Sequence, residues 1–176
     1  MKEALLVIDV QNDVVKNAWN RNGVITVIQE VVRRAREKGI LVVWVQHNDE
    51  GLIKNTPEWE IVPELIPLPH ESHIYKEWGN AFYDTPLHDL FKDQGIESCV
   101  LVGAQSDACI RMTKHGALEL GYPVRLVTEG HTTESSRFDE TLFPGEWIVA
   151  YENRMAMNTY YPNAHSDLVD LKDLWI

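Results

Sequence analysis

The chain has 176 residues, 44% of them hydrophobic, and a formal net charge of −11 at pH 7. This length favours one domain, residues 1–176, with a real hydrophobic core, and the negative charge disfavours binding to nucleic acid or to anionic membranes. No apolar run approaches the roughly 20 residues that cross a bilayer, and no separate signal segment precedes the first strand-like run, so we expect a cytoplasmic protein.

Five or six short apolar runs predict β-strands, and they lie at residues 4–9, 40–46, 73–76, 98–103, 123–128 and 147–150. The richest of these runs are continuous rather than alternating, which is typical of strands that are buried on both faces.

Helical segments separate the predicted strands. Residues 24–38 carry apolar side chains at the three- and four-residue spacing of one helical face, and Gly39 ends this helix. A second helix begins after Thr85 and ends at Gly95, and a third runs from a cap at Ser106 to about Leu120. This order predicts an α/β fold, a single-domain three-layer α/β/α sandwich with a mainly parallel, twisted sheet of about six strands.

Two stretches are less regular. Residues 48–71 contain four prolines, and a loop of this length in a compact domain is usually functional. Residues 130–145 are polar, and we expect them to cover one end of the sheet.

Three polar residues follow predicted strands: Asp9, Lys76 and Cys109. In an open parallel sheet the carboxyl ends of the strands meet at one edge, where ligands bind. Cys109 lies in the first turn of the predicted third helix, and the partial positive charge there is expected to lower the pKa of its thiol. Each residue alone has a simpler interpretation, as a buried inert cysteine, a turn aspartate and a solvated lysine. Together they predict a nucleophilic thiol, a carboxylate that can take its proton and a cation that stabilises the anions.

The two cysteines are predicted to be free thiols. Cys99 begins a strand and Cys109 opens the helix that follows it. Five strand residues span about 16 Å, whereas the Cα atoms of a disulfide lie within about 7 Å.

At these residues the chain resembles the isochorismatase-like cysteine hydrolases, a family that includes nicotinamidases and carbamoylsarcosine amidases. The resemblance covers about residues 4–150, and its motifs are residues 5–13, Lys76 with Phe82 and Thr85, and residues 103–109. It implies that Asp9 is a base, Cys109 a nucleophile and Lys76 the residue that tunes their charges.

The resemblance also implies a cis peptide bond between Ala104 and Gln105. The backbone N–H groups of Gln105 and Cys109 would then form an oxyanion hole. It further implies a small-molecule substrate and a homodimer or homotetramer.

The chain departs from the family pattern near the expected pocket. Nicotinamidases carry a metal site with an Asp-x-His arrangement, but here His47 and Asp49 stand in the opposite order, so we expect no metal and no other cofactor. Val14 stands where many amide hydrolases of the family have an aromatic residue, and Glu129-Gly130 where the family often has Asp-Ala. Trp78 and Phe82 either wall the pocket or pack at a subunit interface. The residues that we expect to bind substrate are Gln11, Val14, His47, Trp78 and Phe82.

The resemblance therefore predicts a cysteine hydrolase that cleaves an amide or carbamoyl C–N bond through a thioester. One alternative is an isochorismatase-type vinyl-ether hydrolase, which does not need the thiol, and another is an inactive family member that acts as a binding protein. Cys109 favours the first. A phosphatase of the haloacid dehalogenase type would need a second aspartate at position 11, which is Gln11 here.

Overall fold

The computed structural model describes all 176 residues and contains nine strands. They are β1 (Glu3–Ile8), β2 (Leu41–His47), β3 (Ser72–Lys76), β4 (Ser98–Ala104), β5 (Val124–Thr132), β6 (Ser136–Phe138), β7 (Thr141–Phe143), β8 (Tyr160–Tyr161) and β9 (Ala164–Val169). Seven of them form one sheet in the order β3-β2-β1-β4-β5-β9-β8, and only the edge strand β8 is antiparallel to its neighbour. The other two form a separate hairpin.

The α-helices are α1 (Arg21–Glu37), α2 (Leu87–Gln94), α3 (Arg111–Glu119) and α4 (Gly145–Ala156). A π-helix, Ser106–Ile110, directly precedes α3, and a short 3-10 helix, Leu171–Asp173, lies near the end of the chain. No helix combines the length and the apolarity that a membrane crossing requires.

The sheet is buried on both faces, which explains why its central strands are continuously apolar. Successive side chains of a strand point to opposite faces, so Leu5 and Val7 of β1 join one core cluster while Leu6 and Ile8 join another. Helix α1 packs on the first face, whereas α2, α3 and α4 contribute to the cluster on the second face. The predicted three-layer α/β/α sandwich is therefore confirmed.

The predicted strand at residues 147–150 is wrong, because these residues lie within α4. The short apolar run favoured a strand, but burial follows the three- and four-residue spacing of Val149, Glu152 and Ala156, which is the spacing of a helical face. The sixth parallel strand is instead β9, in which buried Ala164 and Ser166 alternate with the exposed His165 and Asp167.

The third helix also differs from the prediction at its start. Gln105, in an extended conformation, precedes the π-helix, and Ser106 does not cap it with its side chain. The hydroxyl of Ser106 instead contacts His131 of β5, 25 residues away in sequence. A tertiary partner thus replaces the local cap that the sequence suggested.

The long segment at residues 48–71 lies across the carboxyl end of the sheet. Backbone hydrogen bonds join it to the chain that follows β1, including a bridge between Ile61 and Gln11 and a bond of 3.1 Å from Val62 N–H to the Val10 carbonyl. Val62 and Leu65 are buried in the core. This packing fixes the part of the segment that lies beside the strand ends.

Candidate active site

The carboxyl ends of three parallel strands bring Asp9, Lys76 and Cys109 together. Asp9 directly follows β1, Lys76 is the last residue of β3, and Cys109 lies in the π-helix that follows β4. Asp9 has a positive φ of 51°, and its N–H donates to the Val45 carbonyl of β2 at 2.9 Å. The three side chains therefore lie together at one edge of the sheet, as the sequence predicts.

Close contact between strands β1 and β4 depends on Gly103. Gly103 lies opposite Ile8 in the register of the two strands, and its φ is 126°. A Cβ atom at this position would lie 2.0 Å from the carbonyl oxygen of Ile8, the residue immediately before Asp9. The glycine therefore lets the strand that leads to Cys109 approach the strand that ends at Asp9.

The ammonium group of Lys76 lies at the centre of the cluster. Its Nζ is 2.7 Å from Asp9 Oδ2, 3.2 Å from Cys109 Sγ and 3.4 Å from His47 Nδ1. Its contacts with Cys109 and His47 are hydrogen bonds, whereas its contact with Asp9 is an ion pair, and neither carboxylate oxygen of Asp9 has a hydrogen-bond partner. Lys76 and Asp9 are both at most 2% exposed, and the pair is thus a buried ion pair.

Burial and charge together set the protonation states of the cluster. Burial opposes the charge of Lys76, but Asp9 and Cys109 outweigh it and raise the pKa of the lysine. Burial raises the pKa of the Cys109 thiol to about 12, and the charge of Asp9 adds to this effect while Lys76 opposes it. The prediction of a lowered thiol pKa is therefore wrong, because burial and the charge of Asp9 outweigh the opposing effect of Lys76. The resting site holds a thiol, a carboxylate and an ammonium.

A cavity of about 350 Å³ opens beside this cluster. Ten residues line it: Asp9, Asp13, Val14, His47, Asp49, Gly51, Leu52, Gln105, Ala108 and Cys109. Of the five expected substrate-binding residues, Val14 and His47 are among them. Asp49, Gly51 and Leu52 belong to the long segment that follows β2, where proline content and length were the only signals in the sequence. Asp13 and Ala108 lie within the recognised motifs, but the motifs did not mark them as cavity residues.

His47 is held between Lys76 and Asp49. Because the ammonium of Lys76 can only donate, His47 Nδ1 accepts, and His47 Nε2–H donates to Asp49 Oδ2 at 3.0 Å. Asp49 Oδ1 accepts the N–H groups of Gly51 and Leu52, both at 2.8 Å. The hydrogen bond with His47 and those with the two backbone groups lower the pKa of Asp49. A carboxylate therefore stays ionised at the cavity wall. Nowhere in the structure do three or more His, Cys, Asp or Glu side chains gather as a metal site.

The other three predicted substrate-binding residues do not line the cavity. Gln11 is fully buried and holds both backbone groups of His47, accepting from its N–H at 2.8 Å and donating to its carbonyl at 2.9 Å. It supports the cavity wall from behind.

Trp78 and Phe82 follow β3 but turn away from the cavity. Trp78 is 60% exposed and contacts Tyr83 edge-on in a separate hollow. Phe82 packs in the core between Phe91 and Tyr122. Their proximity to Lys76 in sequence was misleading, because the chain leaves the sheet edge directly after the strand.

The segment between β4 and the π-helix forms another wall of the cavity. The peptide bond between Ala104 and Gln105 is cis. The Gln105 carbonyl accepts the N–H groups of Ala108 and Ile110, both at 3.1 Å, whereas the Gln105 N–H donates to no backbone carbonyl. This wall thus combines the thiol with a residue whose backbone N–H group has no carbonyl partner within the protein.

Comparison with known proteins gives a consistent assignment. The isochorismatase domain model matches residues 3–143. An uncharacterized isochorismatase family protein of Bacillus subtilis is 31% identical over an alignment of 181 positions, which covers 98% of this chain and 100% of that protein. A streptothricin hydrolase of Streptomyces noursei is 35% identical over an alignment of 138 positions, which covers 74% of this chain but only 54% of the hydrolase. The crystal structure of N-carbamoylsarcosine amidase from Thermoplasma acidophilum covers 99% of each chain with a TM-score of 0.79 at 21% identity, and this likeness shows the fold.

Proposed function

The chain belongs to the isochorismatase family of hydrolases, and from that premise we propose that it is a cysteine hydrolase that cleaves a C–N bond of a small amide or carbamoyl compound. One observation carries the proposal. Lys76 Nζ lies 2.7 Å from a carboxylate oxygen of Asp9 and 3.2 Å from the sulfur of Cys109, at the wall of a cavity. A thiol, a base and a cation in contact are the groups that acyl transfer through a thioester requires.

The first step is attack of Cys109 on the substrate carbonyl. Since the thiol is protonated at rest, the proton passes to Asp9 as the Sγ–C bond forms, and Lys76 balances the negative charge during the transfer. The carbonyl oxygen becomes an oxyanion, for which the backbone N–H groups of Gln105 and Cys109 are the proposed donors.

The second step releases the amine and the third restores the enzyme. The C–N bond breaks as Asp9 returns its proton to the leaving nitrogen, which leaves a thioester on Cys109 and a carboxylate at position 9. Water then loses a proton to Asp9 and attacks the thioester. The C–S bond breaks, the acid departs, and the proton on Asp9 goes back to the sulfur.

Two considerations favour C–N cleavage over vinyl-ether cleavage. The vinyl-ether reaction does not need the thiol, yet here the thiol contacts Lys76 and lines the cavity. A relative with 35% identity is a streptothricin hydrolase, and an amidase shares the fold. Both support an amide or carbamoyl substrate.

An ammonia-release screen tests the proposal. The panel comprises small primary amides and carbamoyl compounds, including N-carbamoylsarcosine, and loss of streptothricin is followed separately by chromatography. We expect turnover of at least one compound by the wild-type protein. Cys109→Ala and Asp9→Asn should each lower it by at least about a thousandfold while the circular dichroism spectrum stays unchanged.

Cys99→Ala is the matched control, because this second thiol is fully buried in the core and far from the cavity lining. It should keep the activity. Wild-type turnover by Cys109→Ala or Asp9→Asn would refute the roles assigned to these residues.

A further inference from the structure

A chain of hydrogen bonds lies behind the turn that carries Cys109, and the proposed reaction steps do not use it. It runs from the Thr128 carbonyl of β5 to Asn153 of α4, then to His131 of β5 and on to Ser106 of the π-helix. The distances are 3.1 Å from Asn153 Nδ2 to the carbonyl, 2.9 Å from His131 Nε2 to Asn153 Oδ1, and 2.8 Å from Ser106 Oγ to His131 Nδ1. His131 and Ser106 are fully buried.

The direction of every bond in this chain follows from its first member. Asn153 donates its amide N–H to Thr128, so its Oδ1 is an acceptor and His131 Nε2–H must donate to it. Burial lowers the pKa of His131, which keeps the ring neutral. The other ring nitrogen, Nδ1, is then an acceptor, and the hydroxyl of Ser106 donates to it. Every donor and acceptor of the imidazole is used.

The next residue of the π-helix is tied to the same part of β5. The hydroxyl of Thr133, just after β5, donates to Asp107 Oδ1 at 2.6 Å. On the other side, Gln105 Nε2 donates to the Val14 carbonyl at 3.3 Å. Side-chain hydrogen bonds thus join Gln105, Ser106 and Asp107 to other parts of the fold. The last of these three residues lies two positions before Cys109.

We propose that His131 and Asn153 are positioning residues, which act through Ser106 to hold residues 105–109 so that the Cys109 thiol and the Gln105 N–H face one reacting carbonyl. The inference rests on the proposed acyl transfer at Cys109. Ser106 itself is fully buried and does not line the cavity, so it has no access to a substrate as a second nucleophile. The position of this turn matters because a displacement of about 1 Å at a reacting centre can lower a reaction rate about a hundredfold.

Two chemical probes of Cys109 separate positioning from simple thiol reactivity. Iodoacetamide alkylates a thiolate without forming an oxyanion, whereas p-nitrophenyl acetate acylates the thiol through an oxyanion. Both rate constants are measured for the wild-type protein and for Ser106→Ala, His131→Phe and the double variant. We expect the ratio of acylation to alkylation to fall about tenfold or more in each single variant, and the double variant to lose no more than the larger single loss.

Ser166→Ala is the matched control. It also removes a fully buried serine hydroxyl, which donates to the Ala156 carbonyl at 2.6 Å, but Ser166 pairs with Val124 at the opposite end of β5. Its ratio should stay within about twofold of the wild-type value.

Three results would overturn the inference. They are an unchanged ratio in both single variants, a fall of the same size in Ser166→Ala, and a wild-type Cys109 that is alkylated but never acylated. Failure of the proposed function looks different, because Cys109 would then be acylated by the ester while no amide of the panel is hydrolysed.

Discussion

At the scale of single residues, Asp9 affects Cys109 in two opposite ways. Its carboxylate is the proposed base that removes the thiol proton, yet its negative charge helps to raise the pKa of that thiol to about 12. Lys76 contacts both groups and favours both anions. The balance of these effects keeps the proton on the sulfur of Cys109 in the resting site.

Asp9→Asn should separate these two effects. Asparagine tolerates the positive φ of this position, so the backbone should remain unchanged. With the carboxylate gone and Lys76 still present, the pKa of the thiol falls, and we expect alkylation of Cys109 by iodoacetamide at pH 7 to accelerate about tenfold or more. Amide hydrolysis should be lost at the same time. Slower alkylation than in the wild-type protein would contradict the assigned electrostatics.

Lys76→Met should have the opposite effect on the thiol and a large effect on stability. Removal of the ammonium leaves the buried Asp9 without its ion-pair partner, and loss of one member of a buried pair typically costs about 3–5 kcal/mol of unfolding free energy. Alkylation at pH 7 should be slower than in the wild-type protein. Lys92→Met is the control, because Lys92 forms only an exposed pair with Asp89 on α2. Its unfolding free energy, measured by urea titration, should change by less than about 1 kcal/mol.

At the scale of secondary-structure elements, the site depends on how closely β1 and β4 approach. Gly103→Ala should disturb this contact directly. The new Cβ would lie 2.0 Å from the Ile8 carbonyl oxygen, and φ is 126°. We expect a loss of about 3 kcal/mol or more in unfolding free energy, together with a loss of hydrolysis because Asp9 and the turn before Cys109 are displaced.

Gly121→Ala is the matched control for Gly103→Ala. Gly121 also has a positive φ, 86°, but no atom lies within 4 Å of an added Cβ. It should lose only about 1–2 kcal/mol, the cost of the backbone conformation alone, and it should keep the activity. Equal losses in the two variants would show that the contact with Ile8 does not matter.

The sequence predicts the elements whose signals are local. Strands β1, β2 and β4 are continuously apolar, and parallel topology then brings Asp9 and Lys76 to one edge. The strand predicted at residues 147–150 is wrong because a short apolar run fits one face of a helix as well as a strand. In β9, small buried residues alternate with polar exposed ones, and this pattern in the sequence also indicates a strand.

Other features of the site depend on contacts that are distant in sequence. The π-helix that carries Cys109 is held by His131, and part of the cavity wall comes from the segment after β2. The raised pKa of the thiol reflects burial and the position of Asp9, and neither is encoded within the helix that carries the cysteine. Motif spacing predicts which residues meet at the sheet edge, whereas tertiary packing decides their protonation and their surroundings.

At the scale of the whole molecule, buried titratable groups limit stability at both ends of the pH range. Burial raises the pKa of Cys109 to about 12 and that of Cys99 further, so both thiols keep their protons in the folded state when the unfolded chain has lost them. The unfolded state then binds fewer protons, and stability should fall as the pH rises above about 9. Carboxylates with lowered pKa values, such as Glu71 and Asp49, change the pH dependence of the unfolding free energy only at and below about pH 4.5.

Between these limits, the decline in stability on mild acidification should come from histidines with lowered pKa values, and chiefly from His131, which is fully buried. Burial lowers its pKa below the ordinary 6.5, so below that pH the unfolded chain binds a proton that the folded protein excludes. The stabilisation is complete above pH 6.5 and is lost as the pH falls towards the folded-state pKa, with a slope of up to about 1.4 kcal/mol per pH unit.

Unfolding free energies from urea titrations at several pH values between about 7.5 and 5.5 measure this slope. His131→Phe should flatten it, whereas His70→Gln, at an exposed position, should leave it unchanged. An equally steep decline in His131→Phe would show that the ring titrates alike in both states, and the neutral tautomer assigned to the Ser106–His131–Asn153 chain would then lose its support.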